Sequence, residues 1–465
     1  MKVIDTICPG CSIQCGAQLI DDGALEIEFM KHCPVNQGKL CKFGVMLPAF
    51  YSQPLSDAYI DGKAVPAEEA LSAAASALKS SSSGIVVSLG DSTCEELLAG
   101  SLLASELSFS FATGLGATIS AVGAPNISLK GCTFDDIEKK RDIIIIDTDP
   151  YVQYPLLARR LQNALKAGAD VTYVGPGSVN MEYFASKAHV VSLEDIEQTL
   201  SSIPAKKDTL FITNCGLHAT LSVVASTIRS AAASGAQVLC LKDFANSEAS
   251  VRMDIETYGA DICSISEAIE SGRIRSLVLM ESPIFDSCED GARLKKACES
   301  LEALVIIQSG ALADAPKGAI VIPADRFYCR KGTLLSVEGK LNTLSGDSEG
   351  LVGPIGSILE KMGKEPMAFA KLTELALGRI DSFSSAPFMD VERLPAPELV
   401  KPYYYHVSNP FLARGMSQGY AKRCGEETYG AAIEASRFVV KGNVAPGVVL
   451  VYDKDPEITS QWDGL

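Results

Sequence analysis

From about residue 60 to residue 380 the chain alternates short apolar runs with longer amphipathic stretches. Gly84-Ile85-Val86-Val87-Ser88-Leu89-Gly90 is a buried-strand run closed by a glycine, and Asp91-Ser92-Thr93 then caps a helix that opens on Glu95-Glu96. The same pattern predicts strands at 142–147, 170–174, 209–213, 237–241, 276–280, 303–307 and 319–322, and a helix from Tyr154-Pro155 to Ala167. Ahead of them, Pro66-Ala67-Glu68-Glu69-Ala70 opens an alanine-rich helix through about Lys79, with proline in its first turn and carboxylates at the positive end of the dipole. Strand–helix repetition of this kind makes mostly parallel sheets covered on both faces. Over roughly 240 residues it fits two doubly wound domains better than one. We place them at 56–205 and 206–380.

The two ends of the chain follow other rhythms. Residues 1–55 form a head in which Gln18–Phe29 reads as two short strands joined by an Asp22-Gly23 turn, followed by a proline-punctuated apolar connector, Val45–Leu55. The alternation breaks near Ser382–Pro387, and Pro395, Pro397 and Pro402 mark a linker. Beyond it, strand-like pieces at 403–407, 437–440 and 447–452 suggest that 381–465 ends in a small β-rich segment. No apolar run approaches the ~20 residues needed to cross a bilayer.

Composition narrows the partners. At 465 residues and 47% hydrophobic content the chain can bury two or three cores. A formal net charge of −16 argues against nucleic acid, which needs a basic face to neutralise phosphates. Met1–Asp5 leads directly into a cysteine motif without an export leader, so a reducing, cytoplasmic compartment is expected. The four histidines are widely spread, and neither a Gly-x-Ser-x-Gly elbow nor a P-loop is present, which leaves hydrolytic chemistry without a motif.

Cysteine usage changes the picture most. Cys8, Cys11 and Cys15 stand together in a Pro- and Gly-bearing turn, and Cys41 follows after the hairpin that could bring it back. An iron–sulfur cluster needs one thiolate per iron, and this spacing can wrap three corners of a cube with a distant fourth closing it. Structural zinc also takes four thiolates, but usually from two C-x-x-C knuckles. Cys33 is a spare thiol that could replace Cys41. The scattered cysteines, Cys94, Cys132, Cys215, Cys240, Cys263, Cys288, Cys298, Cys329 and Cys424, are expected mostly to be small core hydrophobes.

Ligands of open α/β sheets bind beyond the carboxyl ends of the strands. The loops of interest are therefore Gly90–Thr93, Thr148-Asp149-Pro150, Gly175–Ser178, Asn214-Cys215-Gly216 and Glu281-Ser282-Pro283. Gly175-Pro176-Gly177 could admit phosphate oxygens to the backbone, although such turns are common in sheets of this type.

Several of these residue sets together resemble the molybdopterin oxidoreductase superfamily, in particular formate dehydrogenase large subunits and the iron–sulfur subunit of respiratory NADH dehydrogenase. The likeness covers most of residues 1–360. It rests on Cys8-x2-Cys11-x3-Cys15 with Asn36–Cys41 and Gly44; on Arg141–Pro150 with Tyr154-Pro155; on Gly272–Val278; and on Ala319–Ala324 with Lys331-Gly332-Thr333 and Glu338-Gly339-Lys340. The resemblance implies a [4Fe-4S] cluster on Cys8, Cys11, Cys15 and Cys41. It also implies molybdenum or tungsten held by pterin guanine dinucleotides, for which Asp149, Gly175 and Gly177 would be the contacts. The architecture implied is an iron–sulfur head, two doubly wound α/β domains and a small β-rich tail.

The chain also departs from that pattern. The stretch 108–120, where active members carry a Cys or selenocysteine metal ligand, has neither, and the nearest thiol is Cys132. Gly175-Pro176-Gly177 stands where the family has Asp-Pro-Arg, and Phe43 stands where it has Lys, with Lys42 one place early. The expected function is therefore an electron-transfer subunit of a multisubunit oxidoreductase, partnered by iron–sulfur or flavin subunits and at most peripheral to a membrane complex. The alternatives are a working molybdenum or tungsten enzyme of formate dehydrogenase type, and a zinc-binding scaffold.

Overall fold

The computed structural model describes residues 1–52, 54–128, 132–177, 179–288, 291–310, 315–383, 388, 390–397, 404–406 and 449–451. The chain opens with an antiparallel sheet of β1 (Lys2–Ile7), β2 (Gly16–Asp21) and β3 (Leu25–Glu28). The Asp22-Gly23 turn between β2 and β3 falls where the sequence predicts it, and Gly23 takes the positive φ of 113° that the reversal requires.

A hairpin of β4 (Ala58–Ile60) and β5 (Lys63–Val65) leads into the predicted alanine-rich helix, Ala67–Ser80, then to β6 (Gly84–Val87). The helix Cys94–Leu107 starts on a capping box: the Thr93 hydroxyl accepts from the Glu96 amide while the Glu96 carboxylate accepts from the Thr93 amide. After β7 (Ser110–Ala112) the chain leaves this sheet. It builds β8 (Asp142–Ile146), β9 (Asp170–Gly175), β10 (Lys187–Val190), β11 (Leu210–Asn214) and β12 (Gln237–Leu241). It then returns for β13 (Ser276–Met280), β14 (Ala303–Gln308) and β15 (Ile320–Pro323), followed by the hairpin β16 (Lys331–Leu335) and β17 (Leu341–Ser345). A short antiparallel pair, β18 (Tyr404–His406) with β19 (Val449–Val451), lies in the predicted β-rich tail. The predicted strand at 437–440 and most of 381–465 lie outside the described residues.

Two parallel sheets result. One has five strands in the order β10-β9-β8-β11-β12; the other has seven in the order β5-β4-β15-β14-β13-β6-β7, with β4 and β5 antiparallel at its edge. The predicted division at 205/206 does not separate them. β8 and β9 share a sheet with β11 and β12, while β6 and β7 pair across to β13, so the five-stranded unit is an insertion within the seven-stranded one. An apolar run reports burial, not which distant strand it will join.

The polarity of each strand order reverses once, between β8 and β11 in one sheet and between β6 and β13 in the other. Such switch points open crevices at the carboxyl ends of the strands. Side-chain alternation divides the central strand β8 between two cores. Ile143 and Ile145 pack with the head through Ile7, Ile13, Phe43 and Leu47, whereas Ile144 and Ile146 face Val224 and Ile228 on the other side. The cysteine head is thus anchored to the five-stranded unit by a shared core.

Candidate metal centre and ligand crevice

The backbone of the head turns the four motif cysteines inward. The Cys8 amide donates to Cys15 O at 2.8 Å, closing the loop, and Gln14 supplies the left-handed residue (φ 56°) inside it. Asn36 joins this loop to the segment ahead of Cys41: its amide group donates to Gly16 O at 3.0 Å and Lys39 O at 2.7 Å, and its oxygen accepts from the Gly16 amide at 3.2 Å. Gly10 has no room for a side chain, because a Cβ there would stand 2.4 Å from the Phe43 ring. From outside, Arg160 of the helix Pro155–Lys166 donates to Val35 O at 2.9 Å and to Pro34 O, with Glu138 balancing its charge at 2.7 Å.

Cys8, Cys11, Cys15 and Cys41 line one cavity with about 340 Å³ of atom-free space, part of it open to solvent; Gly10, Phe43 and Leu156 are also in its wall. Cys33 is outside that lining, near the position of a Gly16 Cβ at 2.8 Å. Among the described residues no three His, Cys, Asp or Glu side chains gather tightly enough to grip a single metal ion. The four thiols line one cavity, and a [4Fe-4S] core takes one thiolate per iron.

Their electrostatics point the same way. Burial, and then the charge of Cys41, pushes the Cys11 thiol up to about 12. Burial followed by Cys41 and Cys11 raises Cys8, and burial followed by Cys11, Cys8 and Cys41 raises Cys15. Four thiolates this close repel one another unless a cationic centre among them compensates. The donor set therefore suits a cationic iron–sulfur core.

Two other elements reach this head. Gln14 donates to Ala245 O at 2.6 Å and accepts from Asn342, tying the cysteine loop to the segment after β12 and to the β16/β17 hairpin. Asp243, in that same segment, accepts from the Leu217 amide at 2.6 Å and acts electrostatically on Cys11, while Asp91 acts on Cys8.

The crevice residues named from the sequence are engaged to different degrees. Asp149 is fully buried as a helix cap: its carboxylate accepts from the Tyr151 amide at 2.9 Å and from Asn180 at 3.0 Å. Gly175 is closely packed, since a Cβ would lie 2.5 Å from the Tyr173 hydroxyl. Gly177 (φ 128°) has ordinary contacts at 3.6 Å and is the more open of the two. The stretch 108–120 forms β7, a turn and the helix Gly116–Val122, with Thr113 donating to Glu256 through both its amide and its hydroxyl. Cys132 is buried, with its thiol donating to Thr133 O at 3.7 Å and pushed up to about 12 by burial.

A polar group at the other switch point was visible in the sequence only as two loops of interest. Asp91, after β6, is 8% exposed, and neither carboxylate oxygen has a hydrogen-bond partner among the described residues. The same holds for the Tyr51 hydroxyl, Ser282 Oγ and Arg326 Nε. Arg330, wholly buried beside them, bonds Glu281 at 2.8 Å and Glu96 at 3.2 Å. Burial works against its charge, but the two carboxylates outweigh burial and raise it. Asp91 is raised by burial and then by Glu281, with Arg330 opposing. No local motif announces this group, whose members come from four separated stretches of chain.

Comparison with known proteins accounts for this architecture. The profile of the molybdopterin oxidoreductase family matches residues 63–357, and that of the molybdopterin oxidoreductase Fe4S4 domain matches residues 1–52. The chain belongs to the molybdopterin oxidoreductase family. Among curated proteins it is 26% identical over 191 residues to the F420-dependent formate dehydrogenase subunit alpha of Methanocaldococcus jannaschii, covering 38% of this chain and 28% of that protein. It is 33% identical over 88 residues to the NADPH-Fe(3+) oxidoreductase subunit alpha of Geobacter sulfurreducens, covering 19% of this chain and 10% of that one. The matches thus span under a third of each relative's length. Among solved structures, acetylene hydratase from Pelobacter acetylenicus superposes with a TM-score of 0.59 at 12% identity, over 78% of this chain and 69% of that one, a likeness of fold. Among the described residues no helix is long and apolar enough to cross a membrane.

Proposed function

We propose that the chain is an iron–sulfur electron-transfer subunit of a multisubunit oxidoreductase, with one [4Fe-4S] cluster on Cys8, Cys11, Cys15 and Cys41. The observation that carries this reading is the convergence of those four thiols on one cavity within the Fe4S4 domain. A bound cluster supplies one-electron transfer. The chain's own residues do the rest: the Asn36 bonds orient the thiols, Phe43 and Leu156 restrict water, and Asp243 places negative charge near Cys11. The two curated relatives are named as alpha subunits, which supports assembly with further redox subunits, of flavin or iron–sulfur type. We place the complex in the cytoplasm, peripheral to a membrane at most.

A second reading, a working molybdenum or tungsten enzyme, is favoured by one observation, the buried polar groups without partners among the described residues at the β6/β13 switch point. Those residues fit a polar ligand of pterin type: Asp91 would accept from its N–H groups, while Ser282 and Tyr51 could donate or accept. In that case Gly177, and with it Gly175 and Asp149, would border the nucleotide end. Metal analysis of the purified full chain separates the readings. About four Fe without Mo or W supports the first; stoichiometric Mo or W with acid-extractable fluorescent pterin supports the second; zinc without iron sinks both. In addition, Cys11→Ala should abolish the EPR signal of the reduced cluster, and a surviving signal would overturn the ligand assignment.

A further inference from the structure

Away from the head, two cysteines from separate elements meet. Cys263 lies on the short 3-10 turn Ile262–Ser264, where its amide donates to Asp261 Oδ1 at 2.9 Å. Cys288 ends the helix Ile284–Ser287 that follows β13. Their Sγ atoms are 2.6 Å apart, longer than the ~2.05 Å of a disulfide bond but closer than two sulfurs approach without one, so only a small shift separates them from bonding. The two are not equally accessible: Cys263 is half-buried, whereas Cys288 is 1% exposed within the core that contains Ile262, Ile265, Ile284 and Leu294. Cys263 is thus the more accessible residue of the pair.

We propose that Cys263 and Cys288 form a thiol–disulfide exchange site whose co-reactant is a small-molecule disulfide. Cys263, as thiolate, attacks one sulfur of the co-reactant; a mixed disulfide forms, the co-reactant's S–S bond breaks and its first thiolate leaves. Cys288, as thiolate, then attacks the Cys263 sulfur, forming the Cys263–Cys288 bond and releasing the second thiolate. The two protons given up by the cysteines are taken up by the two departing thiolates. The chain loses two electrons and the co-reactant gains them, so no further oxidant is needed.

The location gives the bond a structural consequence. Cys263 lies on the connection by which the chain returns from the five-stranded unit to β13, and Cys288 lies just after β13. Next to Cys288, Ser287 O accepts from His218 Nε2 at 2.7 Å, a contact with the loop after β11. The bond would tie this connection to the segment that touches the other sheet.

The test uses the full chain, purified anaerobically with its metal centre, incubated with oxidised glutathione, then denatured, alkylated and mapped by peptide mass. The expected product is one cross-linked peptide pair containing Cys263 and Cys288, lighter by two hydrogens and reversed by excess reduced glutathione. Cys288→Ser should stop the reaction at a stable glutathione adduct on Cys263, and Cys263→Ser should leave Cys288 unmodified. Full alkylation of both cysteines after oxidation, a lasting adduct on Cys263 in the unsubstituted chain, or cross-linking of either to another cysteine would overturn the proposal.

Discussion

Each parallel sheet places an acidic residue in the left-handed region directly after the strand at its switch point, Asp147 (φ 44°) after β8 and Glu281 (φ 46°) after β13. Backbone strain of this kind persists only where the surroundings over-determine it. What surrounds the two differs. In the five-stranded unit the neighbouring polar groups satisfy one another: Thr148 donates to Gln153, Asp149 caps its helix, and the buried Lys242 bonds Glu248 at 2.7 Å and Ile127 O at 2.7 Å. In the seven-stranded unit Glu281 is held by Arg330, yet Asp91, Ser282 and Arg326 retain buried polar atoms without partners among the described residues. Among the described residues the first crevice leaves Ser222 Oγ without a partner, whereas the second leaves more, both carboxylate oxygens of Asp91 among them.

The comparison can be broken most forcefully at Arg330. Arg330→Met leaves Glu96 and Glu281 without their buried counter-charge and should cost about 3–5 kcal/mol, read by denaturant unfolding. A cost near that of an exposed ion pair would mean that the carboxylates have another cation. Next comes Asp149→Ala in the first crevice, which removes a cap and should cost about 1 kcal/mol by the same measurement. Its counterpart, Asp91→Asn, should go the other way and leave stability unchanged or higher at neutral pH, because it removes an unpaired buried carboxyl rather than a bond. If the two aspartates instead lose stability alike, the contrast between the crevices fails.

The smallest effect is a slope. The folded chain holds the Asp91 proton more tightly than the unfolded chain does, since burial raises this carboxyl. Its contribution to stability is therefore full below the ordinary carboxylate range and lost as pH rises through the raised folded value. Unfolding curves across that window should show the unsubstituted chain losing stability relative to Asp91→Asn as pH rises. Parallel curves would show that Asp91 is already neutralised by a bound partner.

Much of the fold could be read from local pattern. The strand at 237–241 and that at 276–280 occur where the apolar runs predict them, and the helices at 67–80 and 155–166 begin within a residue or two of their prolines. The edge hairpin β4/β5 and the short β7 leave no such signature, because three residues of mixed polarity carry no period. Sheet membership was also hidden, since β6 and β13 are interchangeable as apolar runs and only their pairing reveals the insertion. At the candidate site, the four cysteines were legible because their spacing is itself the chemistry. Asp91, Glu281, Arg326 and Arg330 were not, because what distinguishes them is who stands beside them across long stretches of chain.

The insertion also sets an order of events for folding. The strands β8 to β12 are contiguous in sequence and can pair through short loop closures, whereas β6 and β7 must wait for β13 across the whole inserted unit. The entropy of closing a loop grows with its length, at about 0.6 kcal/mol per doubling. Once the five-stranded unit is formed, however, that long loop is already compact and its ends are held near each other. A formed inserted unit would thus shorten the search by which β6 finds β13.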